Sequence, residues 1–184
     1  MSHIQTKLKL IKLVILDVDG VLTDGSISYG SDNLEIKTFN AKDGFGITLG
    51  RKAGIQFGII TGRTSDIVSK RVKELKIKYY HPGKFYKRDA IKQIIKQSEF
   101  SLEQVAYVGD EIIDLVCQDS VAIFACPVDS ASRVLKNADL VLKNKGGHGA
   151  VREFIELILD AKNILQQTEN EFINATQNLI ETSP

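Results

Sequence analysis

The stretch Leu13-Val14-Ile15-Leu16-Asp17-Val18-Asp19-Gly20-Val21-Leu22-Thr23-Asp24-Gly25 decides how the chain is read. Four apolar residues run without a break into two carboxylates one residue apart, and a glycine follows. A continuous rather than alternating apolar run predicts a strand covered on both faces, as in a parallel sheet between helix layers. Such a strand delivers Asp17 and Asp19 to the edge of its sheet. Alone, the pair could equally face solvent. It is not an EF-hand loop, because the glycine comes at the fourth position from Asp17 rather than the sixth.

Outward from this strand the pattern changes and then repeats. Ile27-Ser28-Tyr29 and Glu35-Ile36-Lys37-Thr38-Phe39 alternate across the turn formers Gly30-Ser31-Asp32-Asn33, which predicts a β-hairpin over 26–39 with one exposed face. Asn40 to Gly44 reads as a loop and Phe45 to Lys52 as a helix stopped by Gly54. Strands are expected at Ile55–Ile60, Tyr79–Tyr80, Val105–Val108, Val121–Ala125 and Leu140–Leu142. Between them, Thr64, Ser65 or Asp66 can cap a helix running to Leu75. Lys87–Gln97 carries Ile91, Ile94 and Ile95 on one face, and 130–136 fits a short helix. Gly146-Gly147-His148-Gly149 reads as a flexible loop before a helix from Ala150. That helix carries Val151, Phe154, Ile155, Ile158 and Leu159 on one side. Residues 1–12 read as a loose polar lead-in. The tail over 161–184 carries Ile164, Leu165, Phe172, Ile173 and Leu179 at loose helical spacing, to pack on its own domain or to reach a neighbouring subunit.

The bulk numbers set bounds on this. A chain of 184 residues, 43% apolar and 26% charged, suits one globular domain, with the core expected over about 12–160. A net charge of +1 gives no electrostatic reason to expect nucleic acid or an anionic membrane as partner, and no run approaches a membrane span. Cys117 and Cys126 are expected to be reduced and buried in a cytoplasmic protein. Alternating strands and helices predict an α/β fold, a mainly parallel open sheet with right-handed crossovers. Ligands of such sheets sit beyond the carboxyl ends of the strands. Asp17, Asp19, Thr61 and Asp110 all fall at such ends, and Lys87 follows the third strand of the repeat.

These residues suit phosphoryl chemistry. Three carboxylates make a hard oxygen site of the kind Mg²⁺ prefers, whereas His3, His81 and His148 are too scattered for zinc. Asp17, held rigidly at the strand end, is the candidate nucleophile for an aspartyl-phosphate, and Asp19 the general acid and then base. Thr61, Lys87 and the backbone N–H groups near Gly20 and Gly62 can bind the phosphoryl oxygens. Taken singly, Thr61-Gly62 is a turn, Lys84 and Lys87 are solvated charges, and Gly109-Asp110-Glu111 is a turn. Their order and common position at strand ends carry the reading.

Asp17-Val18-Asp19-Gly20-Val21-Leu22-Thr23, Ile60-Thr61-Gly62-Arg63, a lysine after strand three, and Gly109-Asp110-Glu111-Ile112-Ile113-Asp114 together resemble the four motifs of the haloacid dehalogenase-like hydrolases. The resemblance implies a Rossmann-like three-layer sandwich. The segment between the first two motifs leaves no room for a cap domain. Phe39 to Gly46 and Gly146 to Glu153 are further similar to one capless subfamily, the 3-deoxy-D-manno-octulosonate (KDO) 8-phosphate phosphatases of lipopolysaccharide precursor synthesis. That resemblance implies a homotetramer whose hairpins form the central contact and whose neighbours close each site. It implies Asp17, the Asp19 backbone carbonyl and Asp110 as Mg²⁺ ligands, with Asp114 and Glu111 behind them, and Thr61 and Lys87 on the phosphoryl group. Substrate contacts would come from Asp19, Asn40, Ala41, Lys42, Asp43, Gly44, Thr48, Gly62, Arg63, Arg71 and Lys87. Glu111 stands where the family usually has aspartate, which predicts altered metal affinity rather than lost activity. The motif-three lysine is either Lys84 or Lys87, and the spacing to the helix start favours Lys87. Arg63, with Lys42 and Arg71, suits a substrate carboxylate, and because the similar phosphatases of nine-carbon sialic-type acid 9-phosphates tend to carry glutamate in place of Arg63, the resemblance favours the eight-carbon sugar acid. A non-catalytic oligomeric binding protein on the same fold is the reading from a different class.

Overall fold

The structure is a computed structural model that describes residues 3–31 and 35–181. Its centre is a six-stranded parallel sheet in the order β5-β4-β1-β6-β7-β8. The strands are β1 (Leu13–Leu16), β4 (Gln56–Ile60), β5 (Tyr79–His81), β6 (Val105–Val108), β7 (Ile123–Cys126) and β8 (Leu140–Val141). The outlying pair β2 (Ser28–Tyr29) and β3 (Glu35–Ile36) is antiparallel and forms the hairpin, shorter than the alternation predicts. Asp32 and Asn33 of its predicted turn lie outside the described residues.

Both faces of the sheet are covered, as the unbroken apolar run requires. Val14 and Leu16 of β1 join Ala106 and Val108 of β6 in one core. That core is closed by α2 (Ala41–Lys52), α3 (Asp66–Glu74) and α6 (Ala150–Ala161). Leu13, Ile15, Val105 and Tyr107 point the other way, into a second core. Ala90, Ile91 and Ile94 of α4 (Arg88–Ser98) and Val134 of α5 (Ser132–Asn137) close it.

Three expectations are corrected. The lead-in is not loose: His3–Leu10 is a helix, α1, with Leu8 and Ile11 buried. Ile4, Leu8 and Ile11 recur at helical spacing inside a polar composition, and the Lys162 ammonium caps the far end by donating to the Lys9 carbonyl at 2.6 Å. Asn40 to Gly44 is not a loop, because α2 starts at Ala41 with Asn40 as its N-cap, accepting from the Lys42 N–H at 2.8 Å. Nor is Gly146-Gly147 a freely flexible loop. A Cβ on Gly146 would stand 1.9 Å from the Gly20 carbonyl oxygen, and one on Gly147, at φ +65°, 2.5 Å from the Thr23 carbonyl carbon. The two glycines let this segment press against the turn that follows β1.

The tail forms α7 (Leu165–Glu181) and packs on its own chain. Phe172 meets Phe45 edge-to-face at 5.4 Å, and Glu171 pairs with Lys52 at 3.1 Å. The side chain of Leu179 lies outside the described residues. Among the described residues no helix is long and apolar enough to cross a membrane, and Cys117 and Cys126 are free, buried thiols.

Register then positions the chemistry. Leu16 pairs with Ile59 on one side and Val108 on the other. Asp17, Thr61 and Gly109-Asp110 therefore leave the sheet side by side at its carboxyl edge. The chain runs outward from β1 through β4 to β5, then returns to β6 on the opposite side of β1. Asp17 and Asp110 flank that switch point, where open α/β sheets form their crevice.

Candidate active site

Asp17, Asp19, Thr61, Gly62, Arg63, Asp110 and Glu111 line one cleft of about 280 Å³ at this edge, with Gly25, Phe85 and Ile113. Lys87 lies beneath it, fully buried. Its ammonium pairs with Asp17 Oδ2 at 2.8 Å and Asp114 Oδ1 at 2.6 Å, and reaches the Tyr107 hydroxyl at 3.2 Å. The alternative lysine, Lys84, is exposed in the loop after β5.

Buried charge sets the protonation of this group. Burial pushes the Asp17 carboxyl up, helped by Asp114 and opposed by Lys87, to about 7. Burial likewise pushes Asp110 up to about 8, with Asp17 and Asp114 adding to it. Burial alone would lower the Lys87 ammonium, but Asp17 and Asp114 outweigh it and its pKa is raised, so it stays charged. The Tyr107 phenol is pushed up by burial and Asp114, and it remains a donor to Asp114 at 2.7 Å.

A cation fits among these carboxylates. Oxygens of Asp17, Asp110 and Asp114 lie within 4.8 Å of one another. Asp110 Oδ1 is buried with no hydrogen-bond partner, which a neutral site would not tolerate cheaply. Asp114 is already fully engaged: Oδ1 takes Lys87 and Tyr107, and Oδ2 takes the N–H groups of Asp110 and Glu111, each at 3.1 Å. It holds the Asp110 turn and Lys87 in place, leaving Asp17 and Asp110 as the carboxylates with room for a hard divalent ion such as Mg²⁺. Gly20, at φ +81°, passes so close that a Cβ there would stand 2.0 Å from Asp110 Oδ2. The Glu111 carboxylate turns back on its own segment, accepting from the Ile112 N–H at 2.6 Å.

Thr61 is buried at the end of β4, its carbonyl accepting from the Lys84 N–H at 2.8 Å. Arg63 is exposed and donates to the Tyr29 hydroxyl of the hairpin at 3.3 Å. Asn40, Ala41, Lys42, Asp43, Gly44, Thr48 and Arg71 do not line the cleft of their own chain. Asn40 and Thr48 serve α2 itself, with the Asn40 amide also donating to the Gly147 carbonyl at 3.2 Å. Gly44 lies against the Arg71 guanidinium, which covers the Phe39 ring at 5.7 Å. Asp43 is buried and caps α6, accepting from Gly149 at 3.1 Å and Arg152 at 2.8 Å. Lys42 faces a separate groove of about 550 Å³ with His148 and Arg152.

Sequence reasoning missed Lys37 and Tyr107. Lys37 forms an ion pair with Asp19. Its alternation with Glu35 put both on one hairpin face, but nothing local says what that face meets. Tyr107 is a hydroxyl in an otherwise apolar strand, which is a readable signal of a buried polar partner.

No family model matches the chain. It is 37% identical over 172 residues to the 3-deoxy-D-manno-octulosonate 8-phosphate phosphatase of Salmonella typhi, covering 94% of this chain and 92% of that one. The enzyme of the same name from Haemophilus influenzae is 39% identical over 182 residues, covering 95% and 98%. The crystal structure of the Moraxella catarrhalis phosphatase in complex with magnesium ion, phosphate ion and KDO superposes with a TM-score of 0.90 at 37% identity, covering 94% and 99%.

Proposed function

This chain belongs to the 3-deoxy-D-manno-octulosonate 8-phosphate phosphatase family of haloacid dehalogenase-like hydrolases, and we propose that it hydrolyses that phosphate monoester to KDO and inorganic phosphate through an aspartyl-phosphate. The observation that carries the reading is the joint presence in one cleft of Asp17, Asp19, Thr61 and the unpartnered Asp110 oxygen, over the buried Lys87. An Asp17 oxygen attacks phosphorus while the bond to the sugar oxygen breaks, and Asp19 gives that oxygen its proton. Asp19 then takes a proton from a water that attacks the phosphoryl group, and the Asp17 carboxylate is released. Lys87 and Thr61 hold the phosphoryl oxygens as charge moves onto them. Asp17, the Asp19 backbone carbonyl and Asp110 would hold Mg²⁺, which neutralises phosphoryl charge when bound.

The exposed Arg63 guanidinium at the cleft mouth favours a sugar acid, whose carboxylate it can pair with. The same cation would serve a nine-carbon acid 9-phosphate, so the deciding experiment is a panel of phosphorylated sugars and sugar acids assayed with Mg²⁺ by kcat/KM. The eight-carbon ester should stand out by at least about tenfold, a margin within reach of a pocket fitted to one chain length. A flat profile rejects narrow specificity, and a preference for the nine-carbon ester moves the assignment. Activity that survives chelation rejects the metal.

The assembly belongs to the same proposal: a cytoplasmic homotetramer joined through its hairpins, acting in lipopolysaccharide precursor synthesis. Ile27, Tyr29 and Ile36 are respectively 48%, 74% and 50% exposed, an apolar set on a two-stranded ribbon too small to be stable alone.

A further inference from the structure

We propose that Lys37 is the positioning residue of the proton shuttle, holding the Asp19 carboxylate in line with the leaving oxygen; this rests on the phosphatase reading above. Lys37 directly follows β3, and its side chain is only 1% exposed. Its ammonium pairs with Asp19 Oδ1 and lies 3.8 Å from Glu35 Oε1. Glu35 Oε2 in turn accepts from the Ser65 hydroxyl at 2.6 Å, and Ser65 caps α3 by accepting from the Val68 N–H at 3.3 Å. Asp19, Lys37, Glu35 and Ser65 thus form one line from the turn after β1, through the hairpin, to the start of α3.

The physical need is clear from the position of Asp19. It lies in the turn beyond the sheet ladder, and among the described residues its side chain has no other hydrogen bond or ion pair. A carboxylate free to rotate about two bonds is seldom aimed at one oxygen, and small misplacements of a proton donor are costly to rate. A buried ammonium offers three donors on a compact charge, here shared between Asp19 and Glu35, and Glu35 keeps the stem from swinging away. Lys37 acts through Asp19 and need not touch the phosphate.

The test compares kcat/KM of Lys37→Met and the unmodified protein, with Mg²⁺, on three esters: KDO 8-phosphate, glycerol 2-phosphate and p-nitrophenyl phosphate. Nitrophenolate leaves without a proton, so the aryl ester needs no acid in the step that kcat/KM reports. The expected result is a loss of roughly ten- to hundredfold on both alkyl esters and about twofold or less on the aryl ester. Lys37→Arg, which keeps the cation, should recover most of the alkyl activity. Equal losses on all three esters would mean that Lys37 only holds the hairpin, and a loss confined to KDO 8-phosphate would mean that it contacts the sugar; either overturns the proposal. Should Lys37→Met fail to fold, Lys37→Gln is read in the same way. An unmodified protein that hydrolysed none of the esters would sink the phosphatase reading itself, an outcome distinct from a flat response to the substitution.

Discussion

Lys87 sets the charge balance of the cleft, because it is the cation between two carboxylates that are themselves buried. Lys87→Met would leave Asp17 and Asp114 together with no counter-charge, at a cost of about 3–5 kcal/mol, to be read by urea unfolding. Asp17→Asn should behave differently. Lys87 keeps Asp114, so the melting temperature should stay within a few degrees while phosphate release falls below detection; a near-normal rate would remove Asp17 as nucleophile. The raised carboxyls also have a pH consequence. Asp17 near 7 and Asp110 near 8 hold protons in the metal-free protein that an unfolded aspartate, near 3.8, has already lost. Their contribution to stability therefore falls as pH rises from about 4 through about 8. Mg²⁺ binding at pH 7 should release protons and tighten as pH rises through that range. Calorimetry in buffers of different ionisation enthalpy reads this directly, and an identical heat in every buffer would mean that both carboxyls are already ionised.

At the scale of elements, the turn after β1 and the start of α6 are built as a pair. Asp43, on the first turn of α2, caps α6 from 106 residues away, and the glycines ahead of α6 press on Gly20 and Thr23. Asp43→Ala should cost about 0.5–2 kcal/mol by thermal unfolding, the range for a lost N-cap, and should lower activity because the loop against Gly20 loosens. Unchanged stability would deny the capping role. Local sequence reported the elements unevenly. The strands β1, β4 and β6 and the helix α6 were legible because each writes its burial into a run or a 3.6-residue period. Helix α1 was hidden because Ile4, Leu8 and Ile11 are spaced among polar and basic residues in a short segment. The start of α2 was hidden because Gly44 and Gly46 look like loop residues, while they allow close approach of Arg71 and Arg152.

For the whole molecule, the strand order brings residues from four separate segments to one edge, and the hairpin then lies across it through Lys37–Asp19 and Arg63–Tyr29. The proposed assembly would bury the exposed Tyr29 of this small ribbon. Tyr29→Asp should shift the assembly toward smaller species by light scattering at micromolar concentration, because an unpaired charge is costly to bury at an interface. A protein already monomeric before substitution would reject the assembly.

The chain by itself determined which residues could do chemistry and that they end strands: Asp17, Asp19, Thr61 and Asp110 follow apolar runs whose burial is a local property. Tertiary structure alone decided their partners. The spacing already favours Lys87 over Lys84, but the chain does not say that Asp114 is consumed by Lys87, Tyr107 and two backbone N–H groups, or that Lys37 meets Asp19. The physical reason is range. Periodicity records which way a side chain faces within its own element, whereas an ion pair depends on where two elements meet, and that is set by the packing of the whole sheet.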